Sequence, residues 1–299
     1  MGTAEFAEKS LNALCEAEKN ICCVVTKPDM PRGRGMKIVP DVVKSLAISR
    51  GTPVYQPENL RDGRALAEIK AFKPDIITVV SYGKILPPEI LAIPPLGCIN
   101  IHGSLLPKYR GSAPVQWAVI NGEKETGVTS IYMAEGMDTG DIIASKRTSI
   151  NDRETAGILY SRLAGLGAQL LIETLDLIEN GTAGRTPQDD AEATYAPPLT
   201  RDMSAIDWKA PAAEILSKIR GLNPWPTAKS ELAGIEFKIF AAEEYSKPSE
   251  LPPGTAFSAD NNGIAVSCLD GAILITELQA TGGKRMSAAD FLRGHSICL

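Results

Sequence analysis

Short runs of β-branched residues alternate with stretches of helical periodicity along the first 180 residues of the chain. Strand-like runs at residues 21–26, 52–55, 76–81 and 97–101 are interleaved with helix-like stretches at residues 42–48 and 65–72. Strands that alternate with helices are typical of βαβ units, in which crossover helices join parallel strands. The pattern therefore predicts an α/β domain built on a mostly parallel sheet that helices cover.

A long amphipathic helix is predicted near the end of this region. Its apolar residues recur at helical spacing, namely Ile158, Leu159, Leu163, Leu166, Leu170, Leu171, Leu175 and Ile178. Thr155 can cap the N terminus of this helix, and Gly181 supplies a stop signal. We expect the helix to close the first domain.

Residues 181–204 are polar and rich in proline, a composition that does not readily hold regular structure. Beyond them, apolar runs at residues 236–241, 264–268 and 272–278 are separated by Asn262-Gly263 and Asp270-Gly271, which are typical of tight turns between strands. We predict an α/β domain at residues 1–180, a linker at residues 181–204 and a small C-terminal β-barrel at residues 205–299.

Charge and cysteine usage limit the classes of function. The chain of 299 residues has a formal net charge of −5, so any contact with nucleic acid must be local rather than a general electrostatic attraction. Six cysteines include no C-x-x-C pair, which favours a reduced cytoplasmic protein without a zinc site. Apolar runs fall well short of the roughly 20 residues of a membrane span, and no leader pattern opens the chain.

Three polar residues near a predicted strand end suit carbonyl chemistry. Asn100 and His102 lie two residues apart, so their side chains share a face of the strand, and Asp138 follows in an Asp138-Thr139-Gly140 turn. An amide, an imidazole and a carboxylate can polarise a carbonyl without a metal or a covalent nucleophile. Each motif alone is also typical of a strand-end cap or an Asx turn, so both interpretations stay open here.

Residues 27–37 form the most basic patch of the chain, with Lys27, Arg32, Arg34 and Lys37 against a single acid. Two prolines and two glycines in the same segment predict that it holds no regular element. A solvated surface loop and a local contact with phosphates both fit this composition.

Several segments together resemble the methionyl-tRNA formyltransferase family over nearly the whole chain. They are Thr26-Lys27-Pro28-Asp29 with Gly33-Arg34-Gly35, residues 100–114, Asp138-Thr139-Gly140-Asp141, Asn223-Pro224-Trp225-Pro226, and residues 284–294. The resemblance implies a Rossmann-like formyltransferase domain followed by an OB-like C-terminal barrel that contacts tRNA. It also implies transfer of a formyl group from 10-formyltetrahydrofolate, without a metal, to the amino group of initiator methionyl-tRNA, which supports translation initiation.

The resemblance also implies a role for each site residue. Attack by a neutral amine on the formyl carbon produces a tetrahedral oxyanion, which Asn100 and His102 would stabilise. Asp138 would orient or charge His102 and relay the proton of the amine through water. The implied folate-binding residues are Ser104, Leu105, Leu106 and Pro107. Arg34 would enter the acceptor stem of the tRNA, with Lys27, Arg32 and Lys37 available to phosphates.

Six further expectations follow. We expect Trp225 to be buried, Lys284 and Arg285 to contribute modestly to tRNA contact, and His295 to lie on the surface. Because no heptad seam or extended apolar face stands out, we expect a monomer. The family usually carries a short apolar strand ahead of the Met-Gly-Thr sequence that opens this chain. We therefore expect the sheet to lack its first strand, and a chain extended by that strand to be more stable.

Other functions share parts of this pattern. A related formyltransferase could use the same trio on a small amine, such as a sugar nucleotide or glycinamide ribonucleotide, and a formyltetrahydrofolate hydrolase would use water. The basic segment and the second domain argue against both. A binding module without chemistry would leave the trio unexplained, and neither a G-x-G-x-x-G nor a P-loop motif is present to support one.

Overall fold

The computed structural model of the protein describes residues 1–32, 37–246 and 249–295. Two compact units are present. The first consists of Met1–Pro114, Glu125–Ser149 and Tyr160–Pro197, and the second consists of Val115–Lys124, Ile150–Leu159 and the chain from Pro198 onward.

The elements before residue 180 alternate largely as the sequence predicts. The helices are α1 (Ala4–Glu16), α2 (Val42–Ser49), α3 (Gly63–Ala71), α4 (Pro88–Leu91), α5 (Pro114–Ile120) and α6 (Ala156–Glu179). The strands are β1 (Val24–Val25), β2 (Met30–Arg32), β3 (Lys37–Val39), β4 (Val54–Tyr55), β5 (Ile77–Val79), β6 (Cys98–His102), β7 (Arg110–Gly111), β8 (Glu125–Tyr132) and β9 (Ile142–Ser149).

The larger sheet of the first unit has the strand order β5-β6-β8-β9 and is mixed. Strands β5 and β6 are parallel, whereas β6–β8 and β8–β9 are antiparallel. The prediction of a mostly parallel sheet is therefore wrong for this half of the domain. For β8 and β9 the reason is their connection, which at residues 133–141 is too short for a parallel crossover and turns the chain straight back.

Strands β1 and β4 form a separate parallel pair. Met1 and Gly2 lie between this pair and β5: the Gly2 N–H donates to the Val25 carbonyl at 2.9 Å, and the Val80 N–H donates to the Met1 carbonyl at 2.9 Å. The expectation of a strand ahead of Met1 stays a prediction.

Helix α6 confirms the predicted long amphipathic helix. The Ile158 N–H donates to the Thr155 hydroxyl at 3.4 Å, and Gly181 ends the helix in the left-handed region at a φ of 67°. Most of the predicted apolar face is buried, including Leu163, Leu170 and Leu171. Ile158 is an exception, because its side chain is 60% exposed.

The remaining elements are β10 (Tyr195–Ala196), α7 (Ala212–Gly221), β11 (Ala228–Leu232), β12 (Ile235–Glu244), β13 (Ala256–Asp260), β14 (Gly263–Cys268), β15 (Gly271–Ala280), β16 (Met286–Ser287) and α8 (Ala288–Gly294). Strand β10 pairs in parallel with β7. The segment predicted to be an irregular linker therefore contains a short strand, because backbone groups of β7 supply the partners that its own sequence does not.

The second unit contains an antiparallel sheet with the order β11-β12-β15-β14-β13, and β16 also pairs with β15. Its apolar positions are buried, and the rings of Phe237 and Phe291 pack edge to face with centroids 5.2 Å apart. The predicted OB-like barrel is not confirmed, because no closed barrel forms among the described residues. Helices pack against the sheet instead: α7 contacts β12 and β15, and α8 contacts β13, β14 and β15.

No helix within residues 1–32, 37–246 and 249–295 combines the length and the apolar character needed to cross a bilayer.

Packing of α6 yields a prediction about stability. Leu170 is 1% exposed, whereas its neighbour Gln169 lies on the exposed side of the same helix. We expect Leu170→Ala to lower the free energy of unfolding by about 3 kcal/mol, because it removes buried methyl groups and leaves a cavity. Urea unfolding measures this change. Gln169→Ala is the control, because it gains about the same helix propensity but removes no buried side chain. Equal losses in the two variants would contradict the assignment of the buried face.

Candidate active site

Strand β6 carries the first two residues of the predicted trio. Asn100 pairs in register with Val79 of β5 and Ile131 of β8, and His102 pairs with Thr129 of β8. Two residues apart on a strand, the Asn100 and His102 side chains lie on one face. This confirms the shared face that the sequence predicts.

Asp138 joins them from the connection between β8 and β9. Its Oδ1 accepts a hydrogen bond from Asn100 Nδ2 at 3.2 Å, and its Oδ2 lies 3.5 Å from His102 Nδ1. The Gly111 backbone N–H also donates to Oδ2 at 2.9 Å. The Asp138 side chain is 14% exposed and that of His102 is 6% exposed. The structure thus brings the three predicted residues together at one partly buried carboxylate.

His102 faces an acceptor at each ring nitrogen. Its Nε2 lies 2.8 Å from the Tyr109 carbonyl oxygen, to which it donates, while Nδ1 faces Asp138. A neutral imidazole carries one N–H, whereas the imidazolium carries two. The Tyr109 carbonyl therefore fixes the ring orientation through Nε2, and Nδ1 is left on the side of the Asp138 carboxylate.

The backbone of Tyr109 and Gly111 is a part of the site that the sequence motifs do not single out. Tyr109 has a φ of 61° and Gly111 a φ of 123°. A Cβ at Gly111 would lie 2.6 Å from the Ala196 carbonyl oxygen, so glycine is required for this close approach. A glycine shortly after a strand end was the available signal.

Polar groups of the segment predicted to bind folate already have hydrogen-bond partners within the protein. The Ser104 hydroxyl donates to the Lys108 carbonyl at 2.6 Å. Thr129 Oγ1 donates to the Ser104 carbonyl at 2.7 Å and accepts from the Leu106 N–H at 3.2 Å. Leu105 and Pro107 are half-buried. These contacts fix the shape of the segment and leave its apolar side chains as the groups that can face a ligand.

A cavity of about 440 Å³ lies in the first unit. Its lining comes from residues 60–66 and 85–90 together with Glu135, which is three residues ahead of Asp138. The sequence motifs missed this cavity. A usable signal was the loop after β5, which leaves the edge of the sheet where ligands of α/β proteins bind and which supplies residues 85–90 of the lining.

The basic segment contains two short antiparallel strands, whereas the sequence predicted no regular element there. Met30 pairs with Val39 and Arg32 with Lys37 in the antiparallel β2–β3 pair. The prediction failed because Pro31 is tolerated in a strand that has an unpaired edge. Lys27 is described, and its carbonyl accepts from Gln56 Nε2 at 2.7 Å. Arg34 and the side chains of Arg32 and Lys37 lie outside the described residues.

Three expectations concern the second unit. Trp225 is 52% exposed, so the prediction of a buried ring is wrong. The neighbouring Asn223 is anchored by donation from Nδ2 to the Phe240 carbonyl at 2.9 Å, which holds the turn without the indole. Arg285 donates to both carboxylate oxygens of Glu277 at 2.7 Å, so its charge is locally compensated. His295 is exposed, as expected.

No cluster of three or more histidine, cysteine or carboxylate side chains suited to a metal is present in the described part of the chain.

Comparisons with known proteins identify the family of the chain. The formyl transferase family matches residues 1–175, and the formyl transferase C-terminal domain matches residues 198–296. The methionyl-tRNA formyltransferase of Pelotomaculum thermopropionicum is 49% identical over 98% of this chain and 94% of the relative. That of Trichlorobacter lovleyi is 44% identical over 100% of this chain and 94% of the relative. The chain belongs to the methionyl-tRNA formyltransferase family.

Solved structures show the same fold at low sequence identity. An N-formyltransferase from Helicobacter canadensis, in complex with folinic acid and dTDP-3-aminofucose, superposes with a TM-score of 0.69 at 21% identity, over 92% of this chain and 96% of that chain. HypX from Aquifex aeolicus, in complex with tetrahydrofolic acid, gives a TM-score of 0.60 at 22% identity, over 82% of this chain and 43% of that chain. The architecture of the family is therefore present in this chain.

The buried hydroxyl of Thr129 yields a prediction. We expect Thr129→Val to lower the free energy of unfolding by about 1–3 kcal/mol, because it leaves the Ser104 carbonyl and the Leu106 N–H without their partner. Thr129→Ser keeps the hydroxyl and is the control. The midpoint of urea unfolding measures both, and a valine variant as stable as the serine variant would contradict the argument.

Proposed function

We propose that this chain is an enzyme that transfers the formyl group of 10-formyltetrahydrofolate to the amino group of initiator methionyl-tRNA, a step that supports translation initiation. The observation that carries the proposal is full-length similarity, at 49% identity for one relative, to proteins named methionyl-tRNA formyltransferase. The convergence of Asn100, His102 and Asp138 supplies groups suited to that chemistry.

Asn100 is the donor to the oxyanion in this proposal. A side-chain amide has two N–H donors, and one of them is directed at Asp138. The second can donate to the formyl oxygen as negative charge develops there. A donor of this kind contributes about 3 kcal/mol of transition-state stabilisation.

His102 lies beside the Asp138 carboxylate and, in its protonated form, would add a positive charge there. Its Nε2 is occupied by the Tyr109 carbonyl, so direct donation toward the substrate can come only from the Nδ1 side, where Asp138 also lies. The imidazolium stabilises both the Asp138 carboxylate and the oxyanion by its charge, an effect that is stronger in a partly buried site than in water.

Asp138 handles the proton. The amine nitrogen forms a bond to the formyl carbon, the bond from that carbon to N10 of the donor breaks, and the proton leaves the amine for N10. A water at the exposed part of the carboxylate can carry this proton between the two nitrogens. No covalent bond to the protein forms.

The donor is a folate, and the cavity of the first unit suits one. Leu66, Ile85 and Pro87 offer exposed or half-buried apolar surface to a ring system, while Asp62 and Glu135 can accept from its N–H groups. Residues 104–107 contribute the apolar surfaces of Leu105, Leu106 and Pro107, with Ser104 fixing their position.

The acceptor tRNA is contacted through the basic segment and the C-terminal region. Lys27, Arg32, Arg34 and Lys37 supply positive charge in a chain whose net charge is −5, with Arg34 entering the acceptor stem. The division of labour follows the predicted regions, with chemistry in residues 1–180, a linker at 181–204 and tRNA contact in 205–299. A monomeric state and a cytoplasmic location stay predictions.

One alternative acceptor has a specific observation in its favour. The N-formyltransferase that superposes with a TM-score of 0.69 is in complex with dTDP-3-aminofucose. An amine on a sugar nucleotide could meet the same trio. The 21% identity to that protein against 49% to a methionyl-tRNA formyltransferase favours the tRNA.

The test of function is a transfer assay with 10-formyltetrahydrofolate and either of two acceptors, initiator methionyl-tRNA or a dTDP-amino sugar. A reaction without any acceptor amine is run beside them. We expect formyl-methionyl-tRNA as the only formylated product, and no product from Asp138→Asn at matched concentration. Formylation of the sugar alone would favour the alternative acceptor, and formate release without an amine would favour a hydrolase.

The role of Asn100 has its own test. We expect Asn100→Ala to lower kcat/KM for formyl transfer by about 10²–10³-fold, because an oxyanion donor is lost, while the Kd for tRNA stays within about twofold. Steady-state kinetics and filter binding measure the two quantities. Asn180→Ala, at the exposed end of α6, is the control. Unchanged kcat/KM in Asn100→Ala would rule Asn100 out as a donor.

A further inference from the structure

Residues 186–196, here called the strap, run along the elements that carry the site. Thr186 exchanges two backbone hydrogen bonds with Ile142 of β9, at 2.8 and 3.0 Å. At the other end, the Arg110 N–H donates to the Thr194 carbonyl at 2.8 Å, and the Ser112 N–H donates to the Ala196 carbonyl at 2.9 Å. The strap is thus fixed to β9 and to the region of β7.

One strap side chain reaches the backbone around Asp138. The Gln188 Nε2 group donates to the Asp138 carbonyl and to the Gly140 carbonyl, each at 2.8 Å. Both N–H groups of the Gln188 amide therefore donate to the turn that carries the Asp138 carboxylate. Gln188 does not itself reach the carboxylate oxygens, so any effect on the chemistry passes through the Asp138 backbone.

The amide is held in turn by a buried guanidinium. Arg110 is 2% exposed, and its Nε and Nη2 donate to Gln188 Oε1 at 3.0 and 2.9 Å. Its Nη2 also lies 2.8 Å from Oδ1 of Asp190, an exposed strap residue. This two-pronged donation fixes which end of the Gln188 amide is the acceptor and directs the NH₂ group toward the turn.

The backbone of the turn at Asp138 has an unfavourable conformation that the Gln188 hydrogen bonds can stabilise. Asp138 has a φ of 55°, in the left-handed region that costs a non-glycine residue free energy. From this conformation its carboxylate reaches the Gly111 N–H and Asn100. If the backbone relaxed, the carboxylate would move with it, and a shift of about 1 Å in a catalytic group can lower a rate about 10²-fold.

We propose that Gln188, oriented by Arg110, is a positioning residue that holds Asp138 in its catalytic conformation. The inference rests on the proposed function, since it assumes that Asp138 takes part in formyl transfer. It gives residues 186–196 a part in catalysis beyond that of a connection between domains.

The substitution Gln188→Glu separates this role from simple anchoring of the strap. A carboxylate at this position keeps the acceptor for Arg110 and strengthens that contact. It loses both donors and places negative charge against the Asp138 and Gly140 carbonyls. Anchoring alone would therefore survive the substitution, whereas positioning of Asp138 would not.

The experiment compares wild type, Gln188→Glu and the control Asp189→Asn, whose side chain lies on the same strap and accepts from the Ala191 N–H. We expect Gln188→Glu to fold and to lower kcat for formyl transfer by about 10–100-fold, with KM for tRNA within about twofold. A crystal structure of the variant should show the Asp138 carboxylate displaced from the Gly111 N–H.

Wild-type kcat in Gln188→Glu, or a lower kcat with Asp138 still bonded to Gly111, would overturn the proposal. If Gln188→Glu does not fold, Gln188→Met is measured in its place; because methionine also removes the acceptor for Arg110, the distance between the Asp138 carboxylate and the Gly111 N–H in its crystal structure then decides the inference. If wild type transfers no formyl group to any acceptor, the proposed function fails, and the position of Asp138 in the variant crystal structure alone decides the inference.

Discussion

The carboxylate of Asp138 is the acceptor on which the geometry of the site depends. A side chain from β6 and a backbone N–H from β7 both donate to it, and the His102 ring lies beside it. A carboxylate can accept from several donors at once, because its two oxygens together offer about four lone-pair positions. Three stretches of chain that are distant in sequence are thereby held at fixed separations around one small volume.

The surroundings of this carboxylate are rigid because their own polar groups are paired. Thr129 bridges Ser104 and Leu106, the Ser104 hydroxyl bonds to Lys108, and His102 bonds to the Tyr109 carbonyl. Buried polar networks that are fully satisfied specify one arrangement, because each alternative leaves a group unpaired. Such supporting contacts are what allow a site to meet the transition state without reorganising.

In the proposed mechanism, Asn100, His102 and Asp138 act on the formyl carbon and on an amine proton. Neither of these depends on what the amine is attached to. Recognition of the acceptor has to come from other parts of the chain. The basic segment that begins at Lys27 is the part whose charge suits a polynucleotide.

The positions of most helices and strands were predictable because hydrophobic periodicity is local. Helix α6 follows from its apolar spacing and its Thr155 cap, and the shared face of Asn100 and His102 follows from the period of a strand. The sequence was less informative for Trp225, since an aromatic residue between prolines carries no local signal of exposure. It also gave no sign that a strand of the predicted linker would pair with β7.

Taken by itself, the sequence determined the element pattern, the candidate residues and, through resemblance, the family. Only the tertiary structure decided that the sheet is mixed, that Asp138 meets Asn100 of β6, which is 38 positions away, and that Gln188 reaches the turn 50 positions before it. The physical reason is that these contacts depend on the path of the whole chain. A residue's own neighbours in sequence set its conformation, but they do not specify which distant donor will satisfy it.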